Sequence, residues 1–297
     1  MKVLVTGSTG LLGRALVPRF QKKAEVLGVS ASGREGSRAC DLRNESAVRG
    51  LFENGNWDLV IHAAAYSDVD GCERSPELAH ASNALATRHL AALCGDRRIP
   101  FIYISTDYVF DGRNSVPYTE EDPVFPVNIY GLTKLEGECY TRQFAAPAAI
   151  VRTSWLFGSG VARNFVSAVT ERLKREEVVG VLEDQVDCAT YTEDLAAAIE
   201  KIGQRLCEWV PSEGRAACEV FHICNSGATT RYEMTLELRK LLDRSRVRIE
   251  KISPETIQGR LAVRPKHSVM CTTRFEKLFQ IKMRSWQEAL HDFFKGA

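Results

Sequence analysis

The chain has 297 residues, a formal charge of +1, 44% hydrophobic and 26% charged residues, the composition of an ordinary globular protein. Its near-neutral balance gives no general pull toward nucleic acid or a membrane surface, and no run approaches the roughly 20 apolar residues that span a bilayer. The opening MKVLVTGSTGLLG is interrupted by Thr6, Gly7, Ser8 and Thr9 and so lacks a secretory apolar run. Nine cysteines, an odd number with no CxxC pair, fit unpaired thiols in a reducing cytoplasm.

In chain order, the first half alternates two kinds of segment. KVLVTG, AEVLGVS, WDLVIHAAA, PFIYIST and PAAIVRTSW are β-branched-rich and read as buried parallel strands. LLGRALVPRFQKK, ESAVRGLFENG, SPELAHASNALATRHLAALCGD and NIYGLTKLEGECYTRQF have helical spacing, with starts at Asn44–Glu45 and Ser75–Pro76. The repetition predicts an α/β fold, a Rossmann-type doubly wound parallel sheet. After residue 155 the rhythm loosens. NFVSAVTERLKREE, TEDLAAAIEKIGQRL and RYEMTLELRKLLDRS look helical, CEVFHIC and RVRIEKI look like strands, and TRFEKLF and WQEALHDFF are short amphipathic helices. The expected organisation is a dinucleotide-binding domain over 1–155 with a return segment at about 186–216. A smaller mixed α/β substrate lobe takes 156–185 and 217–297.

Gly7, Gly10 and Gly13 stand between the first strand and the first helix. Gly7 permits a sharp turn, Gly10 lets backbone approach a pyrophosphate, and Gly13 lets the helix pack on the sheet. The diphosphate then sits at the positive helix end, with Leu11 and Leu12 as further candidate contacts. The second strand ends VLGVSASGRE, with Ser30, Ser32 and Arg34 and no acid before Glu35. Hydroxyls and a guanidinium favour a 2′-phosphate, so NADPH is preferred and NADH stays open. Asp41 and Leu42 fit an adenine contact. Ala63, Ala64 and Ala65 are small where a cofactor must lie flat.

Tyr130 and Lys134 are four apart on a predicted helix and share one face. Alone, that spacing is also that of an ordinary surface pair. The strand PFIYIS, however, ends at Ser105–Thr106–Asp107, and ligands of doubly wound sheets bind at the carboxyl ends of strands. There Lys134 can donate to a nicotinamide ribose and lower the Tyr130 pKa. Tyr130 can protonate a carbonyl oxygen as hydride arrives, and Thr106 can stabilise the charge on that oxygen.

These segments, with DLVIHAAAYSDVDGCE, ISTDYVFDG, IVRTSWLFG, NFV, DQ and RLAVRPKHS, resemble the extended short-chain dehydrogenase/reductases over nearly the whole chain. Within them the chain is similar to the dTDP-4-dehydrorhamnose reductase group. The resemblance implies NADPH-dependent reduction of the 4-keto group of a nucleotide-linked 6-deoxyhexose. It makes Thr106, Tyr130 and Lys134 catalytic and places Asp107, Tyr108 and Trp155 at the sugar. Related 4,6-dehydratases carry an acid where Tyr108 stands, and a phenol is a poor base at neutral pH. An epimerase or another sugar-nucleotide reductase is the alternative. A rival of another class is non-catalytic: FHICNSGATTRYEM is reminiscent of the NADP-binding regulatory β subunit of methionine adenosyltransferase.

Two segments depart from the family pattern. Asp187 and Ala189 replace a usual glycine and proline, and Met270–Cys271 replaces Leu–Asp. The extra carboxylate is expected to bear on the nucleotide-sugar side of the cleft. Arg264 is a candidate for a nucleotide phosphate and equally an ordinary surface arginine. His62 reads as a core histidine, and His222 and His267 have no partner at ligand spacing, so no metal ligand is proposed. Asp68, Asp70 and Glu73 could meet Mg²⁺, though a solvated turn is the simpler reading. Monomer and homodimer both stay open.

Overall fold

The structure, a computed structural model, describes residues 1–53, 55–160, 164–208 and 217–295. The strands are β1 (Lys2–Thr6), β2 (Glu25–Ser30), β3 (Arg38–Ala39), β4 (Leu59–His62), β5 (Phe101–Thr106), β6 (Ala148–Thr153), β7 (Leu156–Phe157), β8 (Val178–Leu182), β9 (Val186–Asp187), β10 (Thr190–Tyr191), β11 (Cys218–His222), β12 (Thr229–Thr230) and β13 (Arg248–Ile252). The helices are α1 (Gly13–Gln21), α2 (Glu45–Glu53), α3 (Val69–Arg74), α4 (Pro76–Ala79), α5 (Ala86–Asp96), α6 (Ile129–Phe144), α7 (Phe165–Arg175), α8 (Thr192–Cys207), α9 (Arg231–Leu241), α10 (Thr273–Phe279) and α11 (Trp286–Lys295). None is long and apolar enough to cross a membrane.

A seven-stranded sheet runs β3-β2-β1-β4-β5-β6-β11, and every pairing in it is parallel. Its strands are apolar on both faces because helices cover both. Val3, Val5, Ile61 and Ile102 meet Leu16 and Phe20 of α1 and Leu195 and Ile199 of α8. The alternate residues Leu4, Val60, Phe101 and Tyr103 meet Val48 and Leu51 of α2 and Leu90 of α5. The strand order reverses between β1 and β4, which opens a crevice at the carboxyl ends of the strands.

β11 moves the expected domain division. Residues 218–222, assigned from the sequence to the smaller lobe, pair with β6 in the large sheet. Val220 and Phe221 fill opposite faces, and the pairing satisfies backbone groups that β6 would otherwise leave at an edge. The chain therefore returns to the large sheet through His222. Part of the expected return segment, 209–216, lies outside the described residues. A second core gathers Val166 and Leu173 of α7, Val179 of β8, Met234 and Leu238 of α9, Ile249 of β13 and Leu290 of α11.

Helix starts follow the capping residues. Asn128 accepts the Gly131 N–H and opens α6, while Thr230 and Glu233 form a capping box on α9. Pro76 begins α4, but the long helix expected over 75–96 is interrupted by a π-turn at His80–Leu85. Asn83 in that turn accepts the Tyr66 N–H at 2.7 Å and donates to Thr133 Oγ1 at 3.1 Å, tying the end of β4 to α6.

Candidate active site

A cavity of about 1050 Å³ lies across the carboxyl ends of the sheet. Gly7, Gly10, Leu11, Leu12 and Gly13 form one end. Gly7 has φ +68°, and a Cβ there would stand 2.7 Å from the Ala64 nitrogen. A Cβ on Gly13 would run into the Gly7 carbonyl. Helix α1 has no side-chain cap, and the Leu11 and Leu12 N–H groups have no acceptor among the described residues. Unpaired N–H groups at a helix start suit a diphosphate. His62 braces this loop: Nδ1 is 2.7 Å from Thr6 Oγ1 and Nε2 is 3.1 Å from Thr87 Oγ1. Burial pushes its pKa down to about 3, so it is a neutral core histidine, as its place in the strand implied.

Ser30, Asp41, Leu42, Ala63, Ala64 and Ala65 line the middle of the cavity. Arg34, expected here, does not line it; the side chain is exposed on the turn after β2. The turn is drawn together instead by Ser30 Oγ, which is 2.7 Å from Ser37 Oγ and accepts the Gly33 N–H at 3.0 Å. The guanidinium on this wall is Arg43, whose Nη2 donates to Asp41 Oδ2 at 2.7 Å. That bond holds the Asp41 carboxyl below the usual carboxylate range.

Thr106, Asp107, Tyr108, Tyr130 and Lys134 share the next stretch of wall. Helix α6 is locked to the sheet by a buried pair one turn beyond Lys134. There Arg152 donates to both oxygens of Glu138, at 2.8 and 2.7 Å, and Ser105 Oγ donates to Oε1 at 2.6 Å. The Tyr130 hydroxyl reaches Thr106, and its ring meets Tyr108 edge-on at 5.9 Å. Lys134 is 2% exposed, and its Nζ donates to the Ile104 carbonyl at 2.6 Å.

The electrostatics differ from the sequence expectation. Burial, helped by the charge of Asp107, raises the Tyr130 pKa instead of lowering it. Lys134 is itself pushed down to about 7, by burial with Glu138 pulling the other way. A four-residue spacing brings the two side chains to one wall, but it says nothing of the low dielectric around them. Tyr130 is thus firmly protonated at neutral pH, the state a proton donor needs. Burial holds Tyr108 up at about 12, so it is no base either.

At the far end Trp155 has φ +35°, an uncommon left-handed conformation for a bulky residue, and its buried Nε1 has no partner among the described residues. The Arg231 guanidinium stacks 5.2 Å from the Trp155 ring centroid and 5.3 Å from that of Phe165. It lines the cavity, and its side chain has no hydrogen bond or ion pair among the described residues. Sequence reading passed over Arg231, although its place just after the Thr230 cap was a usable signal.

Arg264 is not on the wall. Its two Nη atoms grip Asp70 at 2.8 and 2.6 Å, while Asp70 also accepts the Leu261 and Ala262 N–H groups. Asp68 caps α3, and Glu73 accepts the Ile129 N–H. The acidic turn is thus occupied in tethering chain segments. Among the described residues no group of three or more potential ligands is placed to hold a metal ion, and Mg²⁺ gains no site. Asp187 is fully buried and does not line the cavity, so its carboxyl does not confront a bound nucleotide as expected.

The whole chain, residues 1–297, matches the family model described as RmlD substrate binding domain. It is 33% identical over 293 residues to a dTDP-4-dehydrorhamnose reductase of Mycolicibacterium smegmatis, covering 98% of this chain and 84% of the relative. It is also 34% identical over 299 residues to methionine adenosyltransferase 2 subunit beta of Danio rerio, covering 98% and 89%. Among solved structures it is similar to a dTDP-4-dehydrorhamnose reductase of Bacillus anthracis in complex with NADP. The TM-score is 0.89 and the identity 29%, covering 100% of this chain and 99% of that one.

Proposed function

The chain belongs to the RmlD substrate binding domain family, and from that premise we propose that it is an NADPH-dependent reductase of the 4-keto group of a dTDP-linked 6-deoxyhexose. One observation carries the reading. A protonated Tyr130, Thr106 and Lys134 stand on the same wall of a cavity that continues to Trp155 and Arg231.

The residues present fit the cofactor. Gly7, Gly10, Leu11, Leu12 and Gly13 would hold its diphosphate, and Asp41, Leu42 and Arg43 its adenosine end. Ala63, Ala64 and Ala65 leave room for it to lie flat, and Lys134 would meet the nicotinamide ribose. Bound NADPH supplies the hydride. Tyr130 gives its proton to the carbonyl oxygen, and Thr106 turns its hydroxyl toward the same oxygen. The unpaired Trp155 N–H meets a sugar oxygen, and Arg231 meets the anionic diphosphate of the nucleotide. All nine cysteines are free thiols, which supports a reducing cytoplasm. The wall is complete within one chain, which supports a working monomer as well as a homodimer.

The zebrafish relative favours a second reading, a cofactor-binding regulatory subunit. Following NADPH oxidation on adding a dTDP-4-keto-6-deoxyhexose separates the two. Turnover is expected; cofactor binding with no turnover on any nucleotide-linked keto sugar would leave the regulatory reading standing.

A further inference from the structure

Asp187 is fully buried, and its Oδ2 meets no donor among the described residues. Its Oδ1 accepts only the Cys188 N–H, at 2.7 Å. β9, which carries it, is held by β12 on one side and by the Ser268 N–H on Val186 O at 3.0 Å on the other. That position sets the Asp187 carboxyl beside the Asp107 carboxyl, close enough to interact with it. Asp107, 2% exposed, is better served: Thr106 Oγ1 donates to Oδ1 at 3.0 Å and Ser268 Oγ to Oδ2 at 2.7 Å.

The titratable groups facing the pair are Tyr108, Tyr130, Cys188 and Cys224, none of them a cation. No lysine, arginine or histidine among the described residues bonds to either carboxyl. Two touching carboxylates without a counter-ion in the interior cannot both be ionised. Burial accordingly pushes both above the ordinary range, and the charge of Asp107 adds to the rise at Asp187.

We propose that Asp107 and Asp187 share one proton, and that Asp187 is a positioning residue acting through Asp107 on Thr106. The proton belongs on the otherwise unpartnered Asp187 Oδ2, which then donates to Asp107. Thr106 has a single hydroxyl proton, and in this structure it is given to Asp107 Oδ1. While it is there, it is not available to a substrate oxygen. The bond from Asp187 satisfies Asp107 in its place and leaves Thr106 able to turn. This role rests on the reductase reading; the shared proton does not.

Carbon-13 NMR of protein labelled at the aspartate carboxyl carbons tests the proton directly in the wild-type chain. One buried carboxyl is expected to stay protonated through neutral pH and to vanish in Asp187→Asn. A wild-type spectrum with every aspartate ionised at pH 7 overturns the proposal without need of a variant. For the role, Asp187→Ala should lower kcat about tenfold with little change in KM, a fraction of the loss seen when an oxyanion donor is removed. Asp187→Asn, which keeps a donor but no titrating proton, should restore most of that loss. It should also lack the alkaline decline that the wild type shows as the shared proton leaves. The same alkaline decline in Asp187→Asn and wild type overturns the positioning role. If wild type turns over no nucleotide sugar, the role falls with the reductase reading, and the NMR experiment still decides the proton.

Discussion

Replacing Lys134 with methionine should make the protein more stable and inactive at once. Lys134 is buried under the cavity floor, with Nζ 4.1 Å from the Tyr103 ring centroid and bonded to Ile104 O. Its pKa falls from 10.5 in the unfolded chain to about 7 in the folded one. For a lysine shifted down, the unfolded state binds more protons between those values, so stability rises with pH across the window. The penalty is fully present below about 7 and lifted near 10.5. At ~1.4 kcal/mol per tenfold, the gap amounts to roughly 4 kcal/mol at pH 7. Methionine keeps the length and carries no charge, but it forfeits the bond to Ile104 O, worth about 1 kcal/mol. The net gain expected at pH 7 is roughly 3 kcal/mol, or a Tm higher by about 5 °C. Urea unfolding of both proteins without cofactor, from pH 6.5 to 10, measures it. The advantage of Lys134→Met should shrink steadily as pH rises. Parallel pH curves for the two proteins, or a less stable variant at pH 7, would refute the argument that this lysine is held at the expense of the fold.

Tyr130→Phe should keep NADPH affinity while losing about 10²–10⁴ in kcat; unchanged turnover would remove the phenol from the chemistry. Arg43→Ala should raise KM for NADPH about tenfold more than for NADH, and Arg34→Ala should leave the ratio alone. A selective NADPH defect in Arg34→Ala alone would show that the turn after β2 closes over the cofactor. Arg231→Ala should raise KM for the nucleotide sugar by roughly 10- to 100-fold with KM for NADPH unchanged, since a charge-assisted hydrogen bond contributes about 1.5–3 kcal/mol. An equal rise in both would mean that Arg231 only steadies Trp155.

What was legible in the sequence was local. Apolar runs broken by Gly7, Gly10 and Gly13 identify a strand, turn and helix within fifteen residues, and the crevice follows from the topology. Tyr130 and Lys134 were legible because one helix sets their spacing. Contacts between distant segments were not. Arg264 read as a phosphate ligand or a surface arginine and Asp70 as part of a solvated acidic turn, yet each is the other's partner across the chain. Arg34 and Arg43 carry the same guanidinium, and only the path of the chain after β2 decides which one faces the cavity. The two-residue strands β7, β9, β10 and β12 are too short for a periodicity, although they carry Asp187 and flank Trp155.

Sequence identity does not separate an enzyme from a regulatory subunit here, because reductase and regulatory relatives match this chain about equally well. The distinction lies in groups whose placement works against stability. A protein that only bound a dinucleotide would need the glycine turn and the bare start of α1. It would have no use for Trp155 at φ +35° with its N–H unpaired among the described residues, or for a guanidinium left unpaired among them on the cavity wall. Each is unfavourable to the empty fold, and in the proposed reaction each faces the place of the nucleotide sugar. Such strain is expected where charge must be moved during a reaction, and binding alone gives no reason to keep it. The argument fails if replacing these residues stabilises the protein and leaves its turnover intact.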